Sequence, residues 1–180
     1  GISLINVAEG GLNEQASILT RIREVLSVAG GAIGQSERDT LQLEINTLRD
    51  EFNRIANATE FNGQKLLDGT LGSGVPVDQH VIISTGLDSG EDSQIDLNEV
   101  ASIDKKDTAT LGLDGLSVAT FDDAVAGIAS AEKALETINQ NRGSIGATQN
   151  RFQRALKNLN VAAENLNAAY SVIADADIAE

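Results

Sequence analysis

The sequence predicts a mainly α-helical protein with a small β part: an elongated rod of long antiparallel heptad helices that carries a β-hairpin. Three observations predict it. Apolar residues recur at alternating spacings of three and four through both ends of the 180-residue chain, the pattern of helices buried along one seam. Aromatics are 3 % of residues against 41 % hydrophobic overall, so Ala, Leu, Ile and Val must build the core, which suits helices packed closely side by side. The middle of the chain breaks the seam with Gly-rich turns, the single Pro76 and segments of strand-like composition.

Three segments follow, 1–69, 70–119 and 120–180, read as parts of one domain. In the first, Ile5, Ala8, Leu12, Gln15, Leu19, Ile22, Leu26 and Ala29 form a seam with one polar member, Gln15. Leu4, Ile18 and Val25 widen it, so this helix is expected to be buried on a broad face. Gly30, Gly31 and Gly34 end it, and Ser36 with Asp39 has the pattern of a capping box that starts a second helix. Leu41, Ile45, Leu48, Phe52 and Ile55 carry that helix to about 57–59, and the short Gly-rich turn makes the two an antiparallel pair.

In the middle segment, QHVIIST at 79–85 and SQIDLNEV at 93–100 read as the two strands of a hairpin, with GLDSGED turning between them. Ile95, Leu97 and Glu99 would share one face, and LGLDGLSV at 111–118 offers Gly turns and a further short strand. The last segment opens on Thr120 and Asp123, again a capping pattern. Its seam runs Phe121, Ala124, Ile128, Ala131, Leu135, Ile138, Arg142, Ile145, Gln149, Phe152, Leu156, Leu159, Ala163, Leu166, Tyr170 and Ile173. That is one helix of about 80 Å. Gly143 and Gly146 inside it would mark a bend or a close backbone approach. Arg142 and Gln149 on the seam are read as structural, setting register or meeting polar partners.

Composition excludes several functions. There is no Cys, so no disulfide, zinc-thiolate site or cysteine nucleophile, and one His, so no multi-histidine metal site. A formal net charge of −14 repels nucleic acid and anionic membrane surfaces alike. No apolar run is long enough to span a bilayer. Candidate chemistry is thin. His80, placed in a strand, would need a nucleophile and an orienting carboxylate to act as a base. Asp88, Glu91 and Asp92 crowd a turn without the EF-hand spacing. Asp122 and Asp123 fit the start of a helix better than a catalytic pair. AGGAIGQS at 29–36 lacks the Lys of a phosphate loop and follows a helix. No catalytic, cofactor or metal residue is assigned, and the chain reads as no enzyme.

Longer motifs then point to a family. GISLINVAEGGLNE, LTRIRE and TEFNGQKLL (59–67) resemble the N-terminal region of bacterial flagellin. LGLDGLSV, INQNRGSIGATQNRF (138–152) and ADADIAE resemble its C-terminal region, in the right order. A hook–filament junction protein is the neighbouring possibility, and the FNG and NRGSIGA segments favour flagellin. The resemblance implies a rod of the D1 type, without the terminal segments that make the inner D0 coiled coil and without large outer domains. It implies a structural filament subunit, exported through the flagellar type III channel to the cell exterior without a cleaved signal. Its partners would be other flagellin subunits, an export chaperone and a cap protein, with no nucleic acid, membrane or cofactor. The fragment itself is expected to be monomeric.

The resemblance also implies recognition by the flagellin-sensing Toll-like receptor through TRIREVLSV (20–28), with Arg21 and Glu44 at matching positions. The contact set for receptor or subunit is Arg21, Arg23, Glu24, Val25 and Glu44. Thr20 and Val25-Leu26-Ser27-Val28 depart from the family's pattern around that Arg. On the residues alone, a ligand-sensing helical bundle or adaptor module is the alternative, and it requires a discrete pocket with convergent polar groups.

Overall fold

The computed structural model describes residues 1–86, 90 and 93–177. Four α-helices, α1 (Ile2–Ala29), α2 (Gln35–Ala58), α3 (Leu97–Val100) and α4 (Phe121–Asp177), are joined by two small antiparallel hairpins. The hairpins are β1 (Glu60–Phe61) with β2 (Gln64–Lys65), and β3 (Ile82–Ser84) with β4 (Gln94–Asp96). The molecule is thus mainly α with a small β part. At about 1.5 Å per residue α4 alone is roughly 85 Å long, and it sets the long axis.

The seam of α1 is buried along its whole length, Gln15 included, because both other long helices lie on it. Arg38 of α2 donates to the Ala29 carbonyl, Arg21 pairs with Glu44, and Gln15 donates to the Phe52 carbonyl. Position falls on α1 as it rises on α2, so the pair is antiparallel. The same holds for α4, where Arg142 donates to Glu9 at 2.8 Å and Gln149 to Asn6 at 2.9 Å. Both seam polar residues of α4 therefore fix its register on α1. Leu26 packs over Gly127, where an added Cβ would lie 2.9 Å from the Leu26 side chain. Gly11 makes another close approach, against Leu67 and Thr59.

The polar face of α2 holds the loop 106–118 through its backbone. Gln42 donates to the Leu116 carbonyl and accepts from the Val118 N–H. Arg49 donates to the carbonyls of Leu113 and Asp114, and Asn53 exchanges two hydrogen bonds with Thr108. Those bonds satisfy loop groups that would otherwise be buried unpaired, and they let Leu113, Leu116 and Val118 fill the core.

Several expectations are corrected. Helix α2 begins at Gln35, not after Ser36, because Glu37 accepts from the Gly34 N–H at 3.0 Å and fixes the start there. The second strand stops at Asp96, whose carboxylate accepts from the N–H groups of Asn98 and Glu99 and so starts α3. Glu99 accordingly lies on a helix, exposed, rather than on a strand face. Residues 111–118 form turns and no strand. His80 follows the 3₁₀ turn Val77–Gln79 instead of lying in β3. Gly143 and Gly146 mark no close approach, since an added Cβ would meet nothing within 4 Å at either. The hairpin β1–β2 was not anticipated; Asn62 and Gly63, both at positive φ (51° and 78°), make its two-residue turn. The capping pattern at Thr120 holds, its hydroxyl accepting from the Asp123 N–H at 3.1 Å. The turn GLDSGED and the acidic cluster within it fall largely outside the described residues.

Candidate interaction surface

Around Arg21, burial of Ile22, Val25, Leu26 and Ala29 turns one side of α1 inward. Arg21 and Glu24, one helical turn apart, are left facing outward. The antiparallel turn then brings Glu44 of α2 opposite Arg21. The Arg21 Nε donates to Glu44 Oε1 at 2.7 Å and its Nη1 to Glu24 Oε2 at 3.3 Å. The hydrogen bond it donates to Glu44 is the main reason the guanidinium sits above its ordinary pKa, with Glu24 adding to it. The three side chains are substantially exposed, so solvent screens the cluster and its charges are available to a partner. Arg23, half-buried, borders an open groove between α1 and α4 that Glu132, Glu136 and Asn139 also line.

One member of the expected contact set lies in the core. Val25 is 1 % exposed and belongs to the core. Its place on the widened α1 stripe already carried that signal. Conversely, Leu43, beside Glu44, is 68 % exposed and was overlooked. It lies off the seam of α2, and an apolar residue off its own helix seam is the sequence signal for it. Val28, also off its seam, is exposed at the tip of the helical hairpin, where it lines a shallow groove with Ile33 and Leu41.

The second surface is larger. Beyond Phe152 the α4 seam has no partner among the described residues. Leu156, Leu166, Tyr170 and Ile173 are all exposed, Tyr170 by 75 %. An uncovered seam with heptad spacing is the apolar stripe that helices use to associate.

The residues weighed for chemistry are accounted for structurally. His80 has both ring nitrogens engaged, by Asp96 and by the Val75 carbonyl, which leaves no free base. Asp122 and Asp123 lie in the first turn of α4. Among the described residues no group of three or more His, Asp or Glu is placed to hold a metal. Among the same residues no helix is long and apolar enough to cross a membrane.

The bacterial flagellin N-terminal helical region matches residues 1–71, and the bacterial flagellin C-terminal helical region matches residues 128–180. A flagellin of Halalkalibacterium halodurans is 38 % identical over 182 residues, which are 100 % of this chain and 62 % of that protein. The flagellar filament 30.7 kDa core protein of Treponema maltophilum is 35 % identical over 188 residues, which are 99 % of this chain and 64 % of that protein. The crystal structure of Bacillus cereus flagellin superposes with a TM-score of 0.69 at 26 % identity, covering 93 % of this chain and 90 % of that one. This chain therefore spans somewhat less than two thirds of the length of these two relatives.

Proposed function

The chain belongs to the bacterial flagellin family, and from that premise we propose that it is the rod-forming part of a structural subunit of the flagellar filament, which polymerises outside the cell to serve motility. The observation that carries the reading is that both terminal helical regions of the family match in order, on α1 and α4, the two helices that pack antiparallel along most of α1. Segments 1–69, 70–119 and 120–180 act in this reading as one unit of the D1 type. Heterologous contacts between such units do not close on themselves and so generate an open helical filament. The polar faces of the helices and the hairpin supply lateral contacts. The bare α4 seam beyond Phe152 supplies an apolar stripe for coiled-coil packing in the assembly.

The full-length subunit leaves the cell by the flagellar type III route with a chaperone and assembles under a cap protein. Antibodies raised against this chain should label filaments of the source bacterium along their whole length. Labelling confined to the hook, or none, would sink the proposal. The isolated chain should sediment without forming long filaments even when concentrated.

Recognition by the flagellin-sensing Toll-like receptor is the finer part of the proposal. Its support is the exposed Arg21–Glu44 pair with Glu24, and the exposed Leu43 next to Glu44 in sequence. Receptor-bearing cells should respond to the chain, and Arg21→Ala should weaken the response while leaving thermal stability nearly unchanged. Equal signalling by the two proteins would remove Arg21 from the contact.

A further inference from the structure

The chain has one histidine, and its side chain is only 5 % exposed. The Nδ1 of His80 lies 2.6 Å from Asp96 Oδ2, and its Nε2 lies 2.9 Å from the Val75 carbonyl oxygen. A carboxylate and a carbonyl only accept hydrogen bonds. A neutral imidazole has a single N–H, so one of its nitrogens would aim a lone pair at an acceptor. An imidazolium donates to both. The geometry is therefore that of a protonated ring.

The ring also sits where it joins three pieces of backbone. Asp96 ends β4, and its other oxygen accepts from the Asn98 and Glu99 N–H groups to start α3. Val75 precedes the 3₁₀ turn, and His80 leads from that turn into β3. Next to them the buried Asn98 accepts from the Val81 N–H and donates to the carbonyls of Thr70 and Gly72. The Leu97 N–H donates to the Val81 carbonyl at 3.0 Å. The base of the β3–β4 hairpin is thus tied to the loop at 70–76 through one polar knot, with His80 as its ionisable member able to donate from two sides.

We propose that His80 is a proton-operated latch for the β3–β4 hairpin: its imidazolium clamps Asp96 to the Val75 carbonyl, and loss of that proton loosens the hairpin base while the helical body stays folded. The charges acting on the ring are Asp96 from β4 and Glu99 from α3, both negative. Among the described residues the ion pair of Asp96 is with His80 alone. The ring's pKa is raised, chiefly by its hydrogen bond to Asp96, against the opposing effect of burial. A group raised in the folded state contributes stability that is full below its unfolded value, about 6.5, and is lost as pH rises through the folded midpoint. The latch is closed at mildly acidic pH and opens on the alkaline side.

A single histidine makes the test clean. NMR titration of the imidazole should give a midpoint above the ordinary value of about 6.5. Amide exchange of Thr85 and Leu97, corrected for the intrinsic pH dependence, should accelerate across that midpoint, while the amides of Leu12 and Ile138 do not respond. In Asp96→Asn the midpoint should drop by about one unit or more, and the hairpin step should move with it. In His80→Gln the step should disappear. A midpoint at or below the ordinary value overturns the latch, as does hairpin exchange that ignores the midpoint or a step that survives in His80→Gln. Should His80→Gln lose helical circular dichroism, the Asp96→Asn comparison decides.

Discussion

The two halves of α4 carry the same spacing and meet opposite fates. From Ala124 to Phe152 the seam is largely buried, with Ala131, Ile138 and Ile145 nearly inaccessible. From Leu156 to Ile173 the same alternation of three and four, with equally apolar residues, faces solvent. The difference is the neighbour. Helix α1 lies along the first half in antiparallel register, and Gly1, which caps its start, sits against the Phe152 ring. Past that point none of the described residues lies alongside. Periodicity therefore defines a face that is fit for burial, and whether the face is buried depends on what packs there. A helix of this kind without tertiary support is marginal in water. The second half gains its value when another helix reaches it.

Substitutions at matched positions of the two halves sharpen that contrast. The largest effect is expected at Ile138, which is fully buried. Ile138→Ala should lower the unfolding free energy by about 2–5 kcal/mol, read from denaturant melts followed by circular dichroism. A loss under about 1 kcal/mol would mean that the α1–α4 seam is looser than its burial implies. Next comes Gly143, in the covered half but with open space around its missing Cβ. Gly143→Ala should stabilise by about 1 kcal/mol, a gain of local helix propensity with no packing change. A loss there would show that the backbone needs the glycine. The smallest effect is expected at Leu166, 61 % exposed on the bare half. Leu166→Ala should stay within about 0.5 kcal/mol of the parent. A cost as large as that at Ile138 would show that the isolated chain covers this seam by self-association, against the expectation of a monomer.

Much of the helical part was readable because each seam repeats its own evidence every turn. Between Ile5 and Ala29 seven apolar residues name the buried face of α1, so one polar exception, Gln15, does not blur it. Strand boundaries had no such redundancy. The alternation in SQIDLNEV looked like one strand, yet a single local hydrogen-bond choice by Asp96 ends it halfway and begins α3. The Asn62-Gly63 turn was legible by its chemistry but flanked by strands of only two residues each. The polar face of α2 was the least readable. Gln42, Arg49 and Asn53 bind backbone groups 55 to 76 positions away, and no spacing rule announces such partners. The candidate contact set shows the same division. Val25 shares the helical period of the seam and lies in the core, while Arg21 and Glu24 lie on the exposed side of α1.

What the sequence by itself determined is what repeats locally: the long helices, the inward face of each, the Gly-rich break between α1 and α2, and the family motifs at both ends. Local periodicity is encoded by interactions three and four residues apart, which any short window contains. Only the tertiary structure decided which stretch of a seam is covered, where the loop 106–118 docks, and that His80 meets Asp96 and Val75. Those outcomes depend on which distant surfaces come together, and that is settled by the packing of the whole chain, in which each buried polar group must find a partner.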